Sequence, residues 1–121
     1  MKNDILKKIF EAKKLIKSKS LKRDGRNDYS NYDYFTPAFV ESVVSEVCEE
    51  LELLTKFDLI RNELGIDGVL TVFDLETGQS MEFRMATEVP TITATNATQQ
   101  IGGAMTYTER YLKMTVFGII D

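Results

Sequence analysis

The chain has 121 residues, 43% of them hydrophobic, which suits one domain with a real core and is too short for two. No run approaches the ~18 apolar residues of a membrane span, and the basic N-terminus lacks the apolar stretch of a secretory signal. A single cysteine excludes an internal disulfide, so a reducing cytoplasm is the expected setting. A net charge of −4 argues against bulk electrostatic capture of nucleic acid but leaves room for a focused groove.

The charge is unevenly placed. Residues 1–26 hold ten Lys/Arg against three Asp/Glu, a balance of +7, and residues 27–121 hold five against sixteen, a balance of −11. The chain therefore divides into a basic N-terminal helix and loop (1–26) and a single α+β domain (27–121). Asn3 is placed to cap a first helix over about residues 4–17. There Ile5/Leu6, Ile9/Phe10, Ala12 and Ile16 make one stripe, and Lys7, Lys8, Lys13, Lys14 and Lys17 decorate the rest. The preferred reading is a solvated lysine-rich helix docked on the core. The functional reading is an arm that tracks phosphate or packs on a neighbouring subunit, and a membrane-surface role ranks last.

Residues 18–31 are polar and turn-rich, and are expected to form a loop. Lys22, Arg23 and Arg26 stand beside Tyr29, Tyr32, Tyr34 and Phe35, the combination that single-stranded nucleic acid needs: cations for the backbone and ring faces for unstacked bases. Phe35 and one of the tyrosines are expected in the core. Thr36-Pro37 opens a second helix as N-cap and first helical residue, with Val40, Val43, Val44, Val47, Cys48 and Leu51 on one face and Glu41, Glu46, Glu49 and Glu50 on the other. Cys48 reads as a buried, inert thiol.

Three strand-like runs follow. Residues 53–61 alternate moderately, 62–68 reads as a glycine-containing loop, and 69–75 is dense in β-formers. Residues 76–79 make a hairpin loop, and in 80–87 Met81, Phe83 and Met85 alternate with Glu82 and Arg84. Val89-Pro90 ends the meander, and residues 91–95 lead into a last helix. Asn96 and Gln99 form a capping-box pair, apolar positions recur at helical spacing from Ala97 to Val116, and Gly118 supplies the stop. Gly102-Gly103 interrupts this helix, where each glycine costs about 1 kcal/mol relative to alanine. The pair points to close approach by a backbone, a base or another helix, with packing on a sheet as the plain alternative. The order predicts an α+β domain, an antiparallel β-meander followed by a long helix (a β-β-β-α core) behind N-terminal helices. An OB-like barrel is the alternative; it would need about five strands, against three clear ones and weak candidates near 29–35 and 86–93.

The stretch Gln100-Ile101-Gly102-Gly103-Ala104-Met105-Thr106-Tyr107, then Arg110-Tyr111, then Phe117-Gly118-Ile119, resembles the closing helix of the ERF (essential recombination function) family of phage single-strand annealing proteins. Tyr32-Asp33-Tyr34 before a short amphipathic helix resembles that family's entry motif, so the likeness spans roughly residues 29–120. A looser resemblance is to short single-stranded DNA-binding proteins of lactococcal phages. The ERF resemblance implies a β-β-β-α core, annealing of complementary strands, oligomeric assembly, a host or phage recombinase as partner, and a host-cell cytoplasm. Glu109 departs from it, standing where the family commonly has a second basic residue.

Catalytic chemistry is hard to build from these residues. Without histidine, and with one buried-looking cysteine, neither a Cys/His zinc site nor a Ser-His or Cys-His pairing can be assembled. No phosphate-binding GxxxxGK[ST] loop is present. The reading is a non-enzymatic binding module that needs no cofactor or metal, and Glu82 and Glu109 carry no assigned role. If the outer sheet face and the last helix border one groove, Arg110 and Lys113 on the helix and Arg84, Lys56 and Arg61 on the strands line it. Arg23, Arg26, Tyr32 and Tyr34 join from the N-terminal side. Tyr107 is open between stacking and packing, whereas Tyr111 is expected to pack the helix onto the sheet. The expected function is sequence-nonspecific single-stranded DNA binding in recombination or replication, by annealing or by passive coating. The rival is a structural or adaptor protein that assembles through its N-terminal helix. On the groove reading, Arg110→Ala weakens binding and leaves folding intact.

Overall fold

Alternation along β3 (Leu53–Asn62) sorts its side chains onto two faces, with Leu53, Thr55 and Phe57 on one and Leu54, Lys56 and Asp58 on the other. In the computed structural model, which describes residues 4–88 and 96–121, β3 pairs antiparallel with β4 (Gly65–Asp74), and β4 with β5 (Ser80–Thr87). The register places Leu53 opposite Asp74 and Phe57 opposite Leu70, and Leu70 in turn faces Phe83. One sheet face therefore carries Phe57, Leu70, Val72, Met81, Phe83 and Met85 into the core. The other carries Lys56, Asp58, Glu82 and Arg84, with Lys56 in line with Glu82 and Asp58 in line with Arg84.

Three helices cover the apolar face: α1 (Asp4–Lys17), α2 (Pro37–Leu51) and α3 (Ala97–Phe117). Each turns an apolar stripe inward: Ile5, Ile9, Ala12 and Ile16 from α1, Val40, Val43, Val44 and Val47 from α2, and Leu112, Val116 and Phe117 from α3. The first helix is thus docked, and Lys7, Lys13, Lys14 and Lys17 lie on the outside. Thr36 caps α2 by accepting the Phe39 N–H at 3.2 Å, with Pro37 at the first helical position. Asn96 and Gln99 form the reciprocal capping box of α3, with bonds of 2.9 and 3.0 Å, and Gly118 ends the helix in the left-handed conformation. The architecture is the expected α+β meander followed by a long helix. The described strands form an open three-stranded sheet and a separate hairpin rather than a closed barrel, so the OB-like alternative falls.

Two loops expected from composition are partly strand. Residues 25–34 form a small hairpin, β1 (Gly25–Asn27) against β2 (Tyr32–Tyr34), closed by Asn31 at positive φ. Likewise β4 begins at Gly65 rather than 69, because Gly65 at φ +143° and an Asn62 side chain that accepts the Leu64 N–H close a tight turn. The expected Asn3 cap, the Val89-Pro90 stop and the 91–95 lead-in lie outside the described residues. The close approach expected at the glycine pair of α3 is not found at Gly102 and is found instead at Gly25 and Gly68. A methyl group at Gly68 would run into the Thr108 side chain of α3 and the Phe57 ring, whereas one at Gly102 meets nothing within 4 Å.

Polar contacts fix α1 in place. Lys8 Nζ donates to the buried Asp74 at 2.8 Å and to Glu76 at 2.5 Å, and the Ile5 N–H donates to the Gln79 side chain at 3.1 Å. The Lys8 ammonium holds the Asp74 carboxyl below its ordinary value, against the opposing effect of desolvation. A carboxyl depressed in the folded state stabilises the fold above its unfolded value, near 3.8. That contribution is lost as pH falls through the lower folded value. Acid unfolding followed by circular dichroism should therefore show a limb below pH 3.8 that Asp74→Asn flattens. At the sheet–helix contact, Gly68→Ala should lower stability by about 1–3 kcal/mol in urea melts, the range for an overpacked core.

Candidate nucleic-acid interface

The β1–β2 hairpin brings Tyr32 and Tyr34 to the flank of α3, where Tyr107 and Tyr111 stand one helical turn apart. Together with Arg26, Arg110 and Asp121 they line a groove of about 300 Å³. Tyr32, Tyr107 and Tyr111 are 50%, 58% and 50% exposed, so their ring faces are open to a ligand. Tyr32 and Tyr34 lie 6.0 Å apart, tilted by 55°. Four rings from two segments some seventy residues apart thus share one wall. Tyr111 is exposed rather than core, because the buried arc of α3 passes through Thr108 and Leu112 and leaves position 111 on the hairpin side.

Arg110 sits at the base of the groove, and its side chain is only 4% exposed. Its Nε donates to the Phe35 carbonyl at 2.6 Å and its Nη2 to Asp121 Oδ2 at 2.5 Å. The guanidinium lies 4.9 Å from the Tyr111 ring centroid and 5.7 Å from that of Tyr34, within cation–π range of both. Asp121 also accepts the Phe35 N–H through Oδ1 at 2.9 Å. Nearby, Asp24 accepts the N–H and hydroxyl of Thr36 at 2.8 and 2.5 Å. Desolvation opposes the Asp24 charge, but these bonds outweigh it and hold the carboxyl below its usual range. Arg26 is the exposed cation of the groove, and it pairs with Asp28 at 3.2 Å and Asp33 at 3.1 Å. No arginine lining the groove is left unpaired.

The remaining predicted cations lie elsewhere. Lys113, 3% exposed, pairs with Glu41 of α2 and with Glu109 at 2.6 Å, in a cleft between α2 and α3. Desolvation works against the Lys113 charge, yet the two carboxylates prevail and raise its pKa. Lys56 and Arg84 stand on the outer sheet face, beside Asp58 (3.5 Å) and Glu82 (3.3 Å) respectively, and Arg61 is exposed near the end of β3. A single groove of Arg110, Lys113, Arg84, Lys56 and Arg61 does not form, because the sheet separates Lys56 and Arg84 from the helix cations and Arg61 stands apart near the end of β3. Arg23 lies with its guanidinium 5.6 Å from the Phe35 ring. Cys48 is buried and its thiol is pushed up to about 11 by desolvation. Sequence reasoning missed Asp121 and Asp28. Their roles depend on contacts across the fold or within a hairpin that composition did not announce.

No described helix is long and apolar enough to cross a membrane, and no cluster of described His, Cys, Asp or Glu is arranged to hold a metal ion. The fold and the groove define a two-layer α+β domain with an aromatic cleft beside its last helix. A family model for the ERF superfamily matches residues 3–121, and the chain belongs to that superfamily, which is associated with phage recombination and strand annealing. No curated protein and no solved structure matches the chain.

The burial of Arg110 revises what its removal does. Truncation breaks two charge-assisted bonds and leaves the Phe35 carbonyl and Asp121 without that partner. Arg110→Ala should therefore lower unfolding free energy by about 2 kcal/mol, within the range for bonds to charged groups, as read by urea or thermal melts.

Proposed function

We propose that this protein is a non-enzymatic binder of single-stranded DNA that acts in phage recombination by holding unstacked bases against its tyrosine groove. The observation that carries this reading is the convergence of Tyr32, Tyr34, Tyr107 and Tyr111 on one open wall. Every base offers a ring face, so such a wall binds without regard to sequence. The family's association with strand annealing supports a role in pairing the held strand with its complement.

In the unbound protein the groove offers a phosphate no unpaired charge, since its arginines are already paired with aspartates, so the first attraction comes from elsewhere. Lys7, Lys13, Lys17 and Lys22 supply it: they are exposed and have no acidic partner among the described residues. They lie on α1 and on the segment leading into the groove hairpin. Binding then has two separable parts, stacking in the groove and ionic attraction along the N-terminal segment. Assembly into oligomers and cooperation with a recombinase belong to the same reading.

Fluorescence anisotropy with labelled single-stranded and duplex oligonucleotides across a salt series tests it. The single strand should be preferred and should weaken with salt. Tyr107→Ala should cost about 1–3 kcal/mol of binding and Tyr107→Phe very little, because stacking needs the ring and not the hydroxyl. Replacing Lys7, Lys13 and Lys17 together by alanine should flatten the salt slope by up to about 2, at roughly 0.7 per phosphate contact on a single strand. No binding to either oligonucleotide would point to the adaptor reading. Duplex formation on adding the complementary strand separates annealing from coating.

A further inference from the structure

We propose that the Asp121 carboxylate occupies a phosphate subsite of the groove, and that a backbone phosphate of the bound strand takes its place. The inference rests on the groove being the base-binding surface and adds what happens at its floor. Asp121 lies in a cradle of two donors: the Phe35 peptide N–H, 2.9 Å from Oδ1, and the Arg110 guanidinium, 2.5 Å from Oδ2. One peptide N–H and one arginine converging on two oxygens of an anion is also how proteins hold phosphate. The anion held here is the chain's own.

The position of the cradle fits this exchange. The Arg110 guanidinium lies 4.9 Å from the Tyr111 ring and 5.7 Å from the Tyr34 ring. A nucleotide whose base stacks on either ring therefore brings its phosphate to the same floor. Arg110 cannot move to meet that phosphate, because its Nε is bound to the Phe35 carbonyl at 2.6 Å. The guanidinium stays and the anion in front of it changes. Asp121 is the movable partner: it follows the Gly118 helix stop and the buried Ile119, lies outside any helix or strand, and is exposed. Until it leaves, Arg110 offers a phosphate no unpaired charge. Asp28 and Asp33 do not serve the same purpose, because Arg26 is at the surface, where solvent screens the pair. Asp121 thus opposes idle binding of anions and yields only where stacking on the tyrosines adds to the exchange.

Asp121→Asn keeps the side chain's shape and removes its charge. In the full chain, inorganic phosphate at millimolar concentration should shift the Phe35 amide and Arg110 Nε–H resonances of this variant, and the wild type should need at least about tenfold more. The variant should bind an oligothymidylate several-fold more tightly, with a salt slope steeper by about 0.7, one further phosphate contact. Asp121→Glu, which restores the charge, should return towards the wild type. A purely structural Asp121 predicts the reverse: weaker oligonucleotide binding by Asp121→Asn and no phosphate response. Should Asp121→Asn fail to fold, the wild type still decides. Oligonucleotide binding should move the Asp121 carboxyl resonance together with the Tyr107 and Tyr111 ring signals. Ring signals that move while Asp121 stays fixed overturn the exchange and leave the groove reading intact. Ring signals that do not move overturn both.

Discussion

A guanidinium that has been taken out of water must be given partners, and the partners chosen by Arg110 shape this face of the molecule. One side chain bonds the Phe35 carbonyl at the entry to α2, bonds Asp121 beyond the end of α3, and lies against the rings of Tyr34 and Tyr111. The β1–β2 hairpin has only three residues in each strand, too few for independent stability in water. It keeps its place beside α3 because Tyr34 lies over this cation, and because Gly25 lets the Tyr34 ring and Thr36 approach where a side chain would collide. The groove follows from that docking.

Lys113 solves the same problem in a different way. One turn along α3 it is buried between helices and answered by Glu109 from its own helix and Glu41 from α2. The Lys113–Glu41 pair ties α2 to α3, and it leaves no charge there for a ligand. A helix carrying two cations near its end therefore presents aromatic rings to the outside and, in the unbound protein, answers both charges from within the chain. That arrangement suits a protein whose domain is acidic overall: on the proposed reading, attraction for a polyanion resides in the lysines of α1 and recognition of unpaired bases in the rings.

Glu109 gains a physical explanation from this geometry. It stands where the resemblance calls for a second basic residue, and its carboxylate neutralises Lys113 four residues on, in the favourable Glu-to-Lys orientation. The spacing of that pair was visible in the sequence. Glu41, seventy-two residues earlier, was not visible as a partner, since no local pattern links α2 to α3.

Local rules determined most of the fold. The Thr36-Pro37 and Asn96-Gln99 caps, the Gly118 stop, the alternation of Met81, Phe83 and Met85 and the stripes of α1 and α2 each depend on neighbours within a few residues, and each is found where the sequence put it. The short strand at Gly25–Asn27 was hidden, and the one at Tyr32–Tyr34 only weakly signalled, because three-residue runs carry no period to read. Likewise Gly68 read as a loop residue until pairing with β3 and β5 fixed it under Thr108. Only the tertiary structure decided which cations are spent on internal pairs and which rings face outward. Burial and ion pairing join residues such as Phe35, Arg110 and Asp121, whose separation along the chain bears no relation to their distance in space.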